Sequence, residues 1–178
     1  PPSDIQVHLR ARFSEAAEAE RLLAEVGERI EALLGDRIYT KTGDPLEVVV
    51  GEMLRARRAT LAVAESCTGG SLGARVTSVA GSSDYFEGGF LTYTNAMKTE
   101  MLGVPAGLLE QYTAESEEAA DAMARGALAR TGATYAISIT GIAGPSGGTD
   151  DKPVGSVWIG LADRKTCQVR RFRFLGDR

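Results

Sequence analysis

Histidine is nearly absent from this sequence, because His8 is the one histidine among 178 residues. Ser-His-Asp and Cys-His catalytic arrangements, and metal sites that depend on histidine, are therefore almost excluded. His8 lies between Val7 and Leu9 in an alternating stretch, where an ordinary strand residue is expected. Any general base in this chain is consequently expected to be a carboxylate, a lysine or a tyrosine.

Cysteine is also scarce. The two cysteines, Cys67 and Cys167, are 100 positions apart, which fits neither a disulfide scaffold nor a zinc site. Both are expected to be reduced thiols, and Cys67 is expected to be a packing residue. The neighbouring carboxylates of Asp150 and Asp151 point apart and rarely bind a metal alone. The sequence therefore predicts no metal site and no other cofactor.

Long apolar runs are missing as well. No segment approaches the roughly 20 residues that cross a bilayer, and the opening PPSDIQVHLR lacks the apolar middle of a signal peptide. The charge balance, 20 basic against 24 acidic residues for a net charge of -4, disfavours binding to a polyphosphate backbone. A cytoplasmic protein without membrane or nucleic-acid partners is expected.

The composition, with 43% hydrophobic and 25% charged residues, allows one core and a small second module. Residues 1–42 are predicted to be such a module, and a turn-rich KTGDP sequence follows them. Its expected elements are a strand, a helix that stops at Gly35 and a short strand, at 5–11, 14–34 and 38–40. Because the chain starts at Pro1 and stops directly after a strand-like stretch, it is interpreted as a fragment.

Residues 43–178 alternate between helix and strand. Their periodicity predicts helices at 46–57, 95–102 and 115–130, and strands at 60–65, 88–94, 134–140, 154–162 and 167–174. The last two strands are expected to form an antiparallel hairpin that makes the sheet mixed. The predicted fold class is therefore α/β, a three-layer α/β/α sandwich with a mixed sheet, preceded by the small α+β module.

The segment AESCTGG places Ser66 where a buried strand gives way to a helix. Backbone N–H groups at a helix start are free to bind an anion or a developing oxyanion, and Gly69 and Gly70 let a ligand come close. Ser66 is therefore a candidate nucleophile. The alternative is that Ser66 or Thr68 simply caps the helix.

A second segment, TYTNAMK, carries Tyr93, Asn95 and Lys98 where a strand ends and a helix begins. A lone helical lysine is usually a solvated surface charge. If this strand neighbours the strand that ends at Glu65, however, both turns open at the same sheet edge, where open α/β sheets bind ligands. A partly buried lysine there could lose its proton near neutral pH and act as base to a serine.

A glycine-rich loop, ITGIAGPSGGTDDKPVG, lies between two predicted strands and contains five glycines. Its backbone amides could wrap a phosphate, although a plain flexible turn explains the composition equally well. The loop matches neither the Rossmann pattern nor the Walker pattern. Thr140 and Lys152 are the candidate phosphate contacts beside it.

Taken together, AESCTGG, GGFLTYTNAMK, TGIAGPSGGTDDKPVG and the terminal FLGDR resemble the C-terminal domain of the CinA family, the nicotinamide mononucleotide deamidases. The resemblance runs from about residue 46 to residue 178. Residues before 42 resemble the KH-type middle module of long CinA proteins. The N-terminal, molybdopterin-binding-like domain of those proteins, with its ADP-ribose pyrophosphatase activity, is not expected in this chain.

The resemblance implies a Ser-Lys amidase, with Ser66 as nucleophile, Lys98 as general base and Tyr93 in the substrate pocket. Such an enzyme would convert nicotinamide mononucleotide to nicotinate mononucleotide and ammonia in pyridine nucleotide recycling, without a cofactor and as a homodimer. The loop glycines and the C-terminal arginine match the family's nucleotide-binding positions. With the two strand-end motifs, the predicted substrate-binding set is Thr68, Gly69, Gly70, Asn95, Thr140, Gly141, Gly144, Gly147, Gly148 and Arg178.

The sequence departs from the family pattern at Glu115, where an apolar residue is usual and a changed helix entry is expected. The implied fold is a sandwich resembling the anticodon-binding-domain architecture. It includes a final helix after the position of Arg178, and this sequence does not contain that helix. A competing interpretation is a regulatory module that holds a nucleotide without turnover while the KH-like segment recruits RNA. Residues 1–42 lack a GXXG loop and hold more acidic than basic residues, which favours a spacer or dimerisation role.

Overall fold

The structure is a computed structural model that describes residues 5–175. The chain divides into two compact units, one that ends at Val49 and one that begins at Val50. The change from one unit to the other falls inside a helix that spans Leu46–Arg57.

The first unit contains a long helix, α1 (Ala16–Leu34), followed by a 3-10 turn at Gly35–Arg37. Gly35 ends the helix with a φ of 51°, a backbone conformation that glycine adopts readily, and its N–H donates to the carbonyl of Glu31. The predicted helix and its stop at Gly35 are therefore confirmed.

The two strands predicted in this unit, at 5–11 and 38–40, are wrong, because neither segment is a strand. Alternating apolar side chains specify a face, but a strand also requires a neighbour that pairs with its backbone. Ile5 and Val7 are 92% and 59% exposed, so the alternation buries little apolar surface here. Helix α1 likewise has no buried residue.

The second unit is built on a mixed sheet. Its strands are β1 (Leu61–Glu65), β2 (Phe86–Leu91), β3 (Tyr135–Gly141), β4 (Ser156–Ala162) and β5 (Cys167–Arg173). They lie in the order β2-β1-β3-β4-β5. The first three are parallel, whereas β3 with β4 and β4 with β5 are antiparallel. The predicted terminal hairpin and mixed sheet are therefore confirmed.

Helices cover both faces of this sheet. They are α2 (Leu46–Arg57), α3 (Ser71–Thr77), α4 (Asn95–Leu102), α5 (Ala106–Tyr112) and α6 (Glu117–Thr131), with a 3-10 turn at Ser82–Asp84. On β1, Ala62 and Ala64 face the core formed with α4, α5 and α6, whereas Leu61 packs with Leu54 of α2 and Val76 of α3. The predicted three-layer arrangement is confirmed.

Small side chains let α6 approach both the sheet and α4. The buried face of α6 is mostly alanine, and a Cβ on Gly126 would lie 2.2 Å from the carbonyl oxygen of Leu102. A larger residue would therefore push α4 away, because backbone atoms cannot yield as a flexible side chain can. This contact fixes the position of α4, which carries Lys98.

The register of the parallel strands brings their carboxyl ends together. Glu65 of β1 pairs with Leu91 of β2 and with Ile139 of β3. One residue further on, the Ser66 N–H donates to the Ile139 carbonyl at 3.0 Å, and the Thr92 N–H donates to the Glu65 carbonyl at 2.8 Å. The turns after these three strands consequently open at one edge of the sheet, where such folds bind ligands.

Candidate active site

Ser66 is the first residue after β1 and is buried, with 7% of its surface exposed. Helix α3 begins later, at Ser71. Its N-cap position is Gly70, and no side-chain hydrogen bond caps the helix from there. The hydroxyl of Thr68 has no hydrogen-bond partner within residues 5–175. The alternative that Ser66 or Thr68 caps this helix is therefore wrong.

The carboxylate of Glu65, a residue that is only 2% exposed, binds the start of α3 instead. Its Oε2 accepts the N–H groups of Gly70 at 3.0 Å and Leu72 at 3.1 Å, and its Oε1 accepts the N–H of Gly73 at 2.8 Å. A negative charge is stabilised there by the helix dipole. The expectation that these amides are free for an anion or oxyanion is thus wrong, because a carboxylate of the chain already occupies them.

Lys98 lies in the middle of α4, with 1% of its surface exposed. Its Nζ is 3.1 Å from Ser66 Oγ. The same nitrogen donates hydrogen bonds to the carbonyls of Thr92 at 2.9 Å and Tyr93 at 3.3 Å. The structure therefore brings together the two side chains that the sequence proposes as nucleophile and base.

Burial lowers the pKa of the Lys98 ammonium, while the nearby Glu115 carboxylate and the Cys67 thiol act in the opposite direction. The hydrogen-bond partners of the nitrogen are uncharged, namely a hydroxyl and two carbonyls. In its neutral form the amine can donate to both carbonyls and keep its lone pair for the hydroxyl proton of Ser66. This geometry suits a lysine that accepts a proton from a serine.

Two acidic residues near this pair were not predicted from the sequence. Glu65 ends a fully buried strand, and a carboxylate in that position signals partners, here the amides of the glycine-containing turn that follows it. Glu115 was expected only to change the entry of a helix, yet its charge acts on Lys98. No sequence signal links Glu115 to Lys98, because they come together only through the arrangement of α4 and α6 around the sheet.

The predicted pocket residues after β2 lie at the surface beside this pair. Tyr93 is 58% exposed, and Asn95, the first residue of α4, is exposed as well. Tyr93 contributes its backbone carbonyl to Lys98, whereas contact of its ring with a substrate stays a prediction. Thr92 is fully buried, and its hydroxyl, like that of Thr68, finds no hydrogen-bond partner in residues 5–175.

Thr140 and Gly141 end β3 and are both held by the protein itself. The Thr140 hydroxyl donates to the carbonyl of Ala114 at 2.8 Å and is completely buried. A Cβ on Gly141 would lie 2.4 Å from the Ser156 carbonyl oxygen, so the approach of β4 requires glycine there. Their predicted contacts with a substrate phosphate stay predictions.

The glycine-rich loop between β3 and β4 begins close to Cys67, the residue after Ser66. Ala143 packs against the apolar cluster that contains the buried side chain of Cys67, as expected of a packing cysteine. Further along, Lys152 Nζ donates to Thr113 Oγ1 at 2.8 Å and lies 5.6 Å from the centroid of the Trp158 ring. Lys152 thus connects the loop to the chain after α5, and its phosphate contact stays a prediction.

The remaining predicted substrate-binding residues are glycines and the C-terminal arginine. Gly69 and Gly70 form the turn before α3, and Gly144, Gly147 and Gly148 lie in the glycine-rich loop, whereas Arg178 lies outside the described residues. Across residues 5–175, no three His, Cys, Asp or Glu side chains are grouped so that they could hold a metal ion. The helices of that same range include none with the length and apolar character to cross a membrane.

Comparison with known proteins shows the family. Residues 43–178 match the family model of the CinA C-terminal domain. The chain belongs to the CinA family. A CinA-like protein of Solibacter usitatus is 55% identical over 175 residues, which are 98% of this chain and 42% of that protein. A CinA-like protein of Nostoc punctiforme is 46% identical over 171 residues, or 96% of this chain and 41% of that protein.

Solved structures of the CinA superfamily agree with this fold. The competence damage-inducible protein A of Klebsiella pneumoniae is 38% identical with a TM-score of 0.72, over 74% of this chain and 82% of that one. The CinA superfamily protein ECK1530/EC0983 of Escherichia coli is 33% identical with a TM-score of 0.72, over 81% and 87% of the two chains. This chain spans about two fifths of the length of the curated CinA-like relatives it matches, and Ser66 and Lys98 both lie inside the CinA domain.

Proposed function

We propose that this CinA domain is an amidohydrolase that converts nicotinamide mononucleotide to nicotinate mononucleotide and ammonia. The observation that supports the proposal most directly is the buried contact of 3.1 Å between Lys98 Nζ and Ser66 Oγ. A lysine amine beside a serine hydroxyl is a nucleophile and base pair that requires no histidine. The reaction also needs no metal, because the cationic ring already activates the carboxamide.

In the first half of the reaction, Ser66 Oγ attacks the carboxamide carbon and its proton moves to Lys98 Nζ. The tetrahedral intermediate then collapses, its carbon–nitrogen bond breaks, and Lys98 returns the proton to the leaving nitrogen, which departs as ammonia. The acyl group remains bound to Ser66 as an ester. Positioning both groups at 3.1 Å before the substrate arrives means that little reorganisation is required for proton transfer.

In the second half, water attacks the ester carbon and gives its proton to Lys98. The carbon–oxygen bond to Ser66 breaks, Ser66 recovers a proton from Lys98, and nicotinate mononucleotide leaves. The amide and one water are thereby converted to an acid and ammonia, and Lys98 acts once as base and once as acid in each half. Burial lowers the pKa of Lys98, which makes the neutral amine more accessible and suits a group that both accepts and returns a proton.

The negative charge that develops on the carbonyl oxygen requires a donor. The helix-start amides of Gly70, Leu72 and Gly73 are already bound to Glu65, so they are poor candidates. The Thr68 hydroxyl is buried, has no partner in residues 5–175 and follows Ser66 by two positions. We propose that this hydroxyl donates a hydrogen bond to the oxyanion. This role is consistent with the predicted place of Thr68 in the substrate-binding set.

The wider context of the reaction belongs to the same proposal. The parent protein would act in the cytoplasm, in pyridine nucleotide recycling, as a homodimer and without a nucleic-acid partner. Residues 1–42, the segment that resembles a KH-type module, would serve as a spacer or dimerisation element rather than bind RNA, since acidic residues outnumber basic ones there and no GXXG loop is present. The catalytic domain would comprise residues 43–178, the range of the CinA model.

The test is ammonia release from nicotinamide mononucleotide by the purified protein, with and without a chelator. The wild-type protein should release ammonia in both conditions, whereas Ser66→Ala should retain nucleotide binding and lose turnover by about 10⁴-fold or more. Binding without ammonia release by the wild type would instead support a nucleotide-holding regulatory module. Activity that a chelator removes and a divalent ion restores would contradict the Ser-Lys mechanism.

A further inference from the structure

Glu115 lies between two buried residues that fix its place at the edge of the sheet. On one side, the carbonyl of Ala114 accepts the hydroxyl of Thr140 at 2.8 Å. On the other, Ser116 Oγ donates to the carbonyl of Thr113 at 3.0 Å and caps α6. Ala114 and Ser116 are buried, whereas Glu115 itself is half-buried, so its side chain reaches the surface of the edge where β3 ends.

This position is next to the catalytic pair. Thr140, which binds the residue before Glu115, directly follows Ile139 in β3. The Ile139 carbonyl accepts the N–H of Ser66 at 3.0 Å, so Glu115 and Ser66 are held by neighbouring residues of one strand. The Glu115 carboxylate is also close enough to Lys98 for its charge to act on the ammonium. The charge that this carboxylate acts on is that of Lys98, and it places a negative charge beside the site.

Resting on the amidase function proposed above, we propose that Glu115 is a specificity-determining residue that selects substrates whose amide is attached to a cationic ring. Attack requires the carboxamide carbon to lie about 3–3.5 Å from Ser66 Oγ, and the ring is bonded directly to that carbon. A ring that carries a positive charge is then held near the carboxylate. A neutral ring of the same shape gains nothing from it.

The same charge links substrate binding to the ionisation of Lys98. In the free site, Glu115 and Cys67 both raise the pKa of Lys98 against the effect of burial. When a cationic ring binds, it offsets the charge of Glu115 and adds its own repulsion to the ammonium, so both changes favour the neutral amine. The cationic substrate thereby promotes deprotonation of its own general base.

The binding test uses Ser66→Ala protein, so that no substrate is consumed. Calorimetry compares nicotinamide mononucleotide with its reduced dihydro form, which keeps the ribose phosphate but has a neutral ring, before and after adding Glu115→Gln. The preference for the cationic nucleotide should fall about three- to tenfold, as expected for a charge pair that water partly screens. Glu115→Asp should retain most of the preference, because it keeps the charge.

Glu118→Gln is the matched control, since Glu118 is an exposed carboxylate in the first turn of α6, and it should leave the preference unchanged. Thermal unfolding of each variant establishes that it is folded. An unchanged preference in Glu115→Gln overturns this inference alone and leaves the amidase proposal intact. Failure of both nucleotides to bind Ser66→Ala protein, together with no ammonia release by the wild type, overturns the amidase proposal and this inference with it.

Discussion

Glu65 and Lys98 are two ionisable residues buried to nearly the same extent, 2% and 1% exposed, at the ends of neighbouring strands. Their surroundings differ in kind. The Glu65 carboxylate accepts three backbone N–H groups at the start of α3. The Lys98 nitrogen contacts a serine hydroxyl and two carbonyls, and burial lowers its pKa.

The difference is the one expected between a structural carboxylate and a lysine that acts as a base. Both carboxylate oxygens of Glu65 accept backbone N–H groups at the start of α3, so its hydrogen-bonding capacity is used by the fold. The partners of Lys98 are uncharged and leave its neutral form accessible, and one of them is a hydroxyl that can be deprotonated. Burial alone therefore does not distinguish the two residues, whereas their hydrogen-bond partners do.

Among the variants that test this comparison, the largest effect should come from Lys98→Arg, which tests whether this buried lysine must change its protonation state. Guanidinium cannot release a proton near neutral pH, so kcat/KM for nicotinamide mononucleotide should fall about 10²- to 10⁴-fold. Steady-state ammonia release, with binding of the nucleotide measured separately, checks this. Turnover like that of the wild type would show that Lys98 serves only as a positive charge.

The next effect is on stability and tests the structural side of the comparison. In Glu65→Gln, a single amide oxygen replaces two carboxylate oxygens, so at least one N–H of the α3 start loses its acceptor and faces an NH₂ group. The free energy of unfolding should fall by about 2 to 3 kcal/mol, which corresponds to a Tm roughly 5–10 °C lower. Thermal and urea unfolding measure this loss.

Lys98→Met should show the opposite pattern to Glu65→Gln, with a small effect on stability and a large effect on turnover. It removes a buried charge while it keeps an unbranched apolar stem, so the free energy of unfolding should change less than in Glu65→Gln. Turnover per folded molecule should fall far more in Lys98→Met than in Glu65→Gln. If Glu65→Gln leaves stability unchanged, or lowers turnover as strongly as Lys98→Met, the division into structural and reactive charges fails.

The sequence was sufficient to predict most of the second unit, because its strands and helices carry clear periodicity. Residues 46–57 and 95–102 are helical over the predicted ranges. Strand β2 stops at Leu91, whereas the prediction continued to residue 94. The carbonyls of Thr92 and Tyr93 accept hydrogen bonds from Lys98 instead, so contacts with Lys98 replace strand pairing there although the residues favour a strand.

Other features could not be predicted because they depend on contacts distant in sequence. The short helix α5 (Ala106–Tyr112) was missed, since its seven residues span too few turns to show a helical period. The strands predicted at 5–11 and 38–40 are wrong because alternation of apolar and polar residues cannot show whether a neighbouring strand is available for pairing. The motifs did indicate Ser66 and Lys98, but the distance between them depends on the β1–β2 register and on the packing of α4.

The smallest effect should be on the pH dependence of turnover, where Glu115 acts on Lys98 without a hydrogen bond. The base must be neutral, so kcat/KM should rise with pH through the pKa of Lys98, which burial lowers and Glu115 raises. Glu115→Gln removes the raising influence, and the acidic limb of the profile should therefore move to lower pH. Ammonia release measured across the pH range gives the position of this limb independently of its height, and Glu118→Gln should leave that position unchanged. A limb that stays in place or moves to higher pH in Glu115→Gln would show that the carboxylate does not act on the general base.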